Sequence, residues 1–533
     1  MDRRAFMWWA GLGAAASACS GSATRSTSSA APRQPVRAPA FQLEEWTITQ
    51  LGAAMASGAL TARAITEQYL ARIEAFDRRG ITLRSINEIN PDALQIADQL
   101  DRERRERGPR GPLHGIPILI KDNIDTADRM ATTAGSLALA ESIAAQDAGV
   151  VARLRAAGAV LLGKTNLSEW ANFRSSRSTS GWSARGGQCA NPYAPTRSPC
   201  GSSSGSGTAA SANFCAASIG TETDGSIMCP ASTTGLVGIK PTLGWVSRAG
   251  IIPISHTQDT AGPMARSVAD AALLLQAIAG VDPRDPVTAA SATHALDINA
   301  SLDPRGLRGA RIGVARKLFG GDDRVAAVMT EAIDVMKREG AVIIDPIELA
   351  ESRRLGDAEL VVMLYEFKAG LNSYLAGLGP NIKTRTLADV IAFNEQHRDR
   401  ELAYFGQELF EMAENKGPLS TAEYVNALAT CDRLARRDGI DAALARHKLD
   451  AILAPTGGPA WQIDLICGDH FGIASSTLPA VAGYPSITVP AGWVMGLPIG
   501  LSLFGAAWSE PVLVKLAFAY EQASRIRKPP ALG

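Results

Sequence analysis

The chain has 533 residues, 46% of them hydrophobic, and its 53 basic residues balance 53 acidic ones for a formal net charge of zero. That length can bury a large core, in one domain or in several. A chain of zero net charge offers no net field to recruit nucleic acid or an anionic membrane.

The first 19 residues read as an address. Arg3-Arg4-Ala5-Phe6-Met7 is a twin-arginine pattern, and the apolar stretch from Phe6 to Ala18 is shorter than the roughly 20 residues needed to span a bilayer. Export to the periplasm is expected. Ala16-Ser17-Ala18-Cys19 also resembles a lipoprotein cleavage site, so membrane attachment is expected only if Cys19 is lipidated. Residues 20–40, rich in Ser, Pro and Ala, read as a flexible tether.

One folded domain is expected over residues 41–530. Gln42 to Phe76 has a helical pattern, with Ile65, Tyr69, Leu70, Ile73 and Phe76 on one face. Ile116–Ile120 is a continuous apolar run of the kind that forms a buried strand. Asp147–Ala157 predicts a helix stopped by Gly158, and Ala159–Leu162 the next strand. Thr208–Ile219 reads as helical or tightly packed. Arg311–Ala315 and Ala341–Ile344 predict strands around a helix lined by Val325, Val328, Met329, Ile333 and Met336. Residues 357–447 look almost wholly helical and form an insertion, in which Ser420-Thr421-Ala422-Glu423 has the capping-box form. Ala451–Ala454, Ser486–Val489 and Leu501–Phe504 supply late strands, and a helix follows near Pro511–Arg525. The class is α/β: a large central mixed sheet, mostly parallel, flanked by helices.

Beyond Cys19, the cysteines Cys189, Cys200, Cys215, Cys229, Cys431 and Cys467 show no CxxC pair and no metal-type spacing with the six histidines. A twin-arginine substrate is expected to fold before export, so free buried thiols are the expectation.

Two serines and a lysine carry the chemistry. Ser202 lies in Cys200-Gly201-Ser202-Ser203-Ser204-Gly205-Ser206-Gly207, and Ser226 closes Gly220-Thr221-Glu222-Thr223-Asp224-Gly225-Ser226. The second stretch is turn-forming and presents successive backbone N–H groups around one serine, which suits an oxyanion. An unassisted hydroxyl is a poor nucleophile, so Ser226 needs a base. Lys121 ends the apolar run Ile116–Ile120, where desolvation pushes a lysine toward its neutral form. The bland alternative is a lysine paired with Asp122.

These residues resemble the amidase signature family. The likeness also covers Gly115-Ile116-Pro117, Gly163-Lys164-Thr165-Asn166, Gly235–Thr242, Asp259–Arg266, Leu453-Ala454-Pro455-Thr456 and Pro485–Pro490. The resemblance implies Lys121 as base, Ser202 as a cis-peptide bridging serine and Ser226 as nucleophile. It further implies an oxyanion hole of the N–H groups of Thr223, Asp224, Gly225 and Ser226, with no cofactor or metal. Many members carry Gly-Gly-Ser before Ile-Arg at the nucleophile, where this chain has Asp224-Gly225-Ser226-Ile227-Met228. That form looks like the branch that removes the C-terminal amide of peptides. The implied substrate is thus a small peptide amide, with simple aliphatic or aryl amides as the alternative, and no obligate protein partner.

Two motifs compete. Gly158–Thr165 matches the phosphate-loop pattern, but its four intervening residues are apolar and β-prone, so a strand lies inside the motif instead of before it. Gly201-Ser202-Ser203-Ser204-Gly205 matches the nucleophile elbow of α/β-hydrolases with Ser203 central and His256 or His470 as partner. That elbow must follow a strand, yet three prolines lie within Asn191–Pro199. A non-catalytic amidotransferase-like subunit, working on charged tRNA, is disfavoured by the export signal and neutral charge.

Overall fold

Continuous apolar runs and close-packed small residues combine to build one wide sheet. The computed structural model describes residues 41–294, 297–349 and 352–532, so the expected export segment over 1–19 and the tether over 20–40 lie outside it. The strands are β1 (Ile86–Ile89), β2 (Pro117–Lys121), β3 (Val160–Thr165), β4 (Trp182–Ser183), β5 (Gly187–Gln188), β6 (Ala217–Glu222) and β7 (Val237–Lys240). They continue with β8 (Thr260–Ala265), β9 (Arg311–Val314), β10 (Val342–Ile344), β11 (Ala451–Pro455), β12 (Ser486–Val494) and β13 (Leu497–Phe504). Eleven of them form one sheet in the order β1-β3-β2-β6-β8-β7-β12-β13-β11-β9-β10, and β4 pairs with β5.

The sheet is mixed and flanked by helices, as expected. Parallel pairing, expected to prevail, is confined to two blocks, β3-β2-β6 and β11-β9-β10. The remaining ladders are antiparallel. The reason is local at β12–β13, a hairpin whose turn residues Met495 and Gly496 both have positive φ (51° and 80°), the backbone twist that two-residue hairpins favour. This hairpin sits between β7 and β11 and so joins the two parallel blocks.

Both faces of β2 are covered, and all five of its residues are buried, which is why it reads as an unbroken apolar run and not as an alternation. The helix Asp323–Arg338 is capped by Asp322, which accepts from the N–H groups of Arg324 and Val325. It buries the predicted stripe of Val325, Val328, Met329, Ile333 and Met336.

Some local expectations differ from the structure. The helical pattern over 42–76 is two helices, Ile48–Ala56 and Ala62–Ile73, parted by Gly58 with φ 75° and restarted by Thr61, whose hydroxyl accepts from Ala64 N. The segment 208–219 is likewise divided: its helix is Ser204–Ser211, and Ala217 already begins β6. Ser420 does not close the expected capping box, because the helix Ala422–Cys431 takes Thr421 as its N-cap. The Thr421 hydroxyl donates to Pro418 O at 2.6 Å, while Glu423 is taken by Tyr365 and Lys416.

The insertion is helical from Ser352–Ala376 through Ala442–His447. Leu364, Phe367, Leu371 and Phe410 from it share a buried cluster with Trp170, Phe173, Ile252 and Ile254. Arg174, fully buried, ties the same loop down by pairing with Glu169 at 3.0 Å. The insertion therefore packs against the loops that follow β3 and precede β8.

Candidate active site

Within the parallel block β3-β2-β6, all three strands end at the same edge. Lys121 is the last residue of β2, and β6 runs beside it with Ile120 opposite Ile219. This register carries Thr221 to the lysine. Lys121 is fully buried, and its Nζ lies 2.7 Å from Ser202 Oγ, 2.9 Å from Thr221 Oγ1 and 3.3 Å from Thr221 O. No carboxylate lies within ion-pair distance of Nζ among the described residues. Asp122 is engaged instead by Arg185 at 3.0 Å and Asn87 at 2.9 Å, so the pairing of Lys121 with Asp122 is ruled out.

Burial pushes the Lys121 ammonium down to about 7, with the charges of Asp259 and Glu222 pulling weakly the other way. A neutral amine has two N–H groups and one lone pair. Thr221 O and Oγ1 take the two N–H groups, which leaves the lone pair for the Ser202 hydroxyl. Thr221 Oγ1 is itself fixed by Asn123 Nδ2 at 3.0 Å.

The Gly201–Ser202 peptide is cis. Ser202 O accepts from Ser168 N at 3.1 Å, and Ser203 N donates to Ser226 O at 3.1 Å. These bonds lay the 200–203 loop between the end of β3 and the loop carrying Ser226. Only glycine fits at 201, because a Cβ there would collide with Ser168 Oγ. Ser226 is 9% exposed. Its turn is held from below by Glu222, whose Oε2 accepts from Ile227 N at 2.7 Å and Met228 N at 2.9 Å. Gly225 takes φ 77° in that turn. Among the described residues, the N–H groups of Thr223, Asp224, Gly225 and Ser226 bond no protein acceptor, so the predicted nest stands open.

Cys200 and Cys229 form a disulfide, with Cα atoms 5.9 Å apart. This corrects the expectation of free thiols for two cysteines; Cys189, Cys215 and Cys431 are free and buried, and Cys467 is free and exposed. The bridge ties the residue two before Ser202 to the third residue after Ser226.

A cavity of about 320 Å³ opens onto Ser226. Gly201, Cys200, Thr223, Asp224, Gly225, Ser226 and Cys229 line its floor. Asn172, Phe173 and Ser180 come from the segment after β3, and Met363 comes from the insertion, which therefore lines the pocket in part. Trp170, Ala171 and Asn172 all have positive φ (48°, 55° and 70°), backbone that non-glycine residues adopt at a cost and that concentrates at functional walls.

The residues that the competing motifs would use, Ser203, His256, His470 and Lys164, do not line this pocket. Ser203 is fully buried, and its Oγ donates to Thr221 O at 3.0 Å and receives Thr221 N at 3.2 Å. His256 lies beside Glu366 and His470 beside Asp464, each more than half exposed. Lys164 of the phosphate-loop pattern is inside β3, with Nζ bonded to Ile124 O at 2.6 Å and Thr132 Oγ1 at 2.9 Å.

The site also contains residues that motif reading passed over. Thr221 and Glu222 stand in the quoted stretch before Ser226 and Asp259 at the head of another, but nothing local marked them. Asp259 receives Thr223 Oγ1 at 2.6 Å and the N–H groups of Ile254 and Ser255, and burial pushes its carboxyl up to about 6. Burial and the nearby Asp224 charge raise Glu359 well above the usual carboxylate range.

A wide mixed sheet that delivers a buried lysine and two serines to one edge belongs with the amide-bond hydrolases. Residues 64–514 match the family model described as Amidase, and the chain belongs to that family. It is 53% identical to the peptide amidase of Stenotrophomonas maltophilia, whose crystal structure superposes with a TM-score of 0.89 over 92% of this chain and 100% of that one. A probable amidase of Arabidopsis thaliana is 42% identical over 92% of both chains. A glutamyl-tRNA(Gln) amidotransferase subunit from Chloroflexus aurantiacus is 36% identical over 90% of this chain and 97% of its own.

Proposed function

We propose that this amidase hydrolyses the C-terminal carboxamide of peptides through an acyl-enzyme on Ser226. The observation that carries the reading is the 2.7 Å contact between a buried, base-range Lys121 and Ser202, on a loop bonded to that of Ser226. The likeness to a peptide amidase across nearly the whole domain supports the substrate.

Ser226 Oγ attacks the carboxamide carbon while its proton passes to Ser202 Oγ, and the Ser202 proton passes to Lys121 Nζ. The carbonyl oxygen becomes an oxyanion held by the N–H groups of Thr223 to Ser226, each such donor typically contributing about 3 kcal/mol. When the C–N bond breaks, the proton returns along the relay to the departing nitrogen, which leaves as ammonia. Water then gives a proton to the same relay, attacks the ester carbon and releases the peptide acid and free Ser226. Each proton taken up is given back, so no external acid, base or cofactor is consumed.

The test is ammonia release from a panel of peptide amides set beside simple aliphatic and aryl amides. Peptide amides should be the better substrates by kcat/KM, and Ser226→Ala should abolish turnover. Equal rates on simple amides with none on peptide amides would remove the substrate assignment. Wild-type turnover by Ser226→Ala would remove the mechanism.

A further inference from the structure

Asp224 stands where many amidases have glycine, and it lines the pocket. Its Oδ2 accepts from Thr477 Oγ1 at 2.7 Å. Its Oδ1 is buried and has no partner among the described residues. A buried carboxylate oxygen without a donor is costly, and this one belongs to a residue that lines the cavity. Asn172, across the same cavity, also keeps a buried side-chain oxygen, Oδ1, unpartnered among the described residues. Two acceptors lining one cavity call for N–H groups from whatever fills it.

The neighbouring carboxyl settles where the charge sits. Glu359 is buried on the long helix of the insertion and accepts from Gln258 Nε2 at 2.8 Å. Burial raises both carboxyls, but the hydroxyls of Ser476 and Thr477 and the charge of Lys240 favour ionised Asp224. Glu359 has only Gln258 in its favour and the Asp224 charge against it. Like charges so placed do not both ionise; Glu359 keeps the proton and Asp224 the charge.

Given the peptide-amide reading, on which this step rests, we propose that Asp224 is a specificity-determining residue. Its free Oδ1 accepts a hydrogen bond from the backbone N–H of the substrate residue that bears the scissile carboxamide. The geometry follows from covalent reach. The Asp224 N–H belongs to the nest that receives the oxyanion, so its side chain starts beside the reacting carbonyl. The substrate N–H is two bonds from the attacked carbon and reaches the same wall. A peptidyl amide supplies that donor, and a simple aliphatic or aryl amide does not. The pocket of a site built around an N–H rejects an analogue that lacks it, because the buried acceptor is then left unpaired.

The experiment compares three substrates in wild type, Asp224→Ala and Asp224→Asn. They are an N-acetylated dipeptide amide, its depsipeptide analogue with oxygen replacing that one N–H, and an isosteric simple amide. Wild type should prefer the N–H substrate over its depsipeptide by about 10- to 100-fold in kcat/KM, as hydrogen bonds to charged groups do. Asp224→Ala should bring the ratio to within about threefold, and Asp224→Asn, which keeps an acceptor oxygen, should restore part of it. Because the readout is a ratio within one variant, any general damage to the nucleophile turn cancels. An undiminished ratio in Asp224→Ala would overturn the assignment to Asp224 while leaving the peptide-amide reading intact. A wild type active on the simple amide and inactive on the peptide amide would overturn both.

Discussion

A base whose strength comes from burial makes a quantitative claim about pH. A lysine at its usual 10.5 would be neutral in roughly 1 molecule in 3,000 at pH 7. Lys121, lowered to about 7, is neutral in about half. The difference is on the order of 1,000-fold in competent base and corresponds to about 5 kcal/mol of desolvation supplied by the fold. The base must be deprotonated to act, so activity should fall as pH falls. The measurement is kcat/KM for ammonia release from pH 5 to 9, taken on quenched aliquots so that no coupling enzyme limits the range. The logarithm should rise with unit slope below pH 7 and level off above about 8, with pH 6 near one tenth of the plateau. Glu510, which burial raises to about 7, titrates in the same window. Its carboxylate accepts from Thr242 N, a role glutamine can fill, so Glu510→Gln should leave the limb in place. A profile flat from pH 5.5 to 8.5, or a limb that vanishes in Glu510→Gln, would refute Lys121 as the base.

Replacing both Cys200 and Cys229 by serine opens a cross-link between residues 29 apart, and chain entropy sets the expected loss at about 3–4 kcal/mol of unfolding free energy. Denaturant titration of the oxidised wild type against the double variant measures it, and coincident curves would show that the bridge contributes nothing. Ser203→Ala removes a hydroxyl that serves both Thr221 O and Thr221 N, and should lower stability by about 1–3 kcal/mol. It should nevertheless leave a trappable acyl-enzyme on Ser226 by mass spectrometry; an adduct lost with Ser203 would instead favour the elbow motif.

Legibility in the sequence followed the physics of each segment. β2 was plain because a strand covered on both faces must be apolar throughout, and Lys121 at its end stood out against that run. β6 was obscured because Ala217-Ser218-Ile219-Gly220-Thr221-Glu222 carries small and polar residues, which are buried by close packing and hydrogen bonding and not by apolar area. The helix Ser204–Ser211 has the composition of a flexible linker; its burial, a tertiary effect, makes it a helix. The apparent capping box failed because the helix starts at Ala422 with Thr421 as its N-cap, one residue late for Glu423 to reach back, and Lys416 nearby and Tyr365, distant in sequence, hold that carboxylate instead. The disulfide had no spacing signature, since its cysteines meet only once the two serine loops are stacked. Glu359 was invisible for a related reason: a carboxylate in a helical insertion looks solvated until the helix is laid over the nucleophile turn.

The hairpin β12–β13 has a consequence for the order in which the protein can be made. Lys121, Ser202 and Ser226 have all left the ribosome long before residues 486–504, yet those residues alone join β7 to β11. Until they emerge, the nascent chain carries two half-sheets, each with an unpaired strand edge. A premature stop after Pro455 and before Ser486 therefore yields a chain with its full set of reactive residues and two sticky edges. Completion of the sheet is vectorial, and its last stitch lies near the C-terminus.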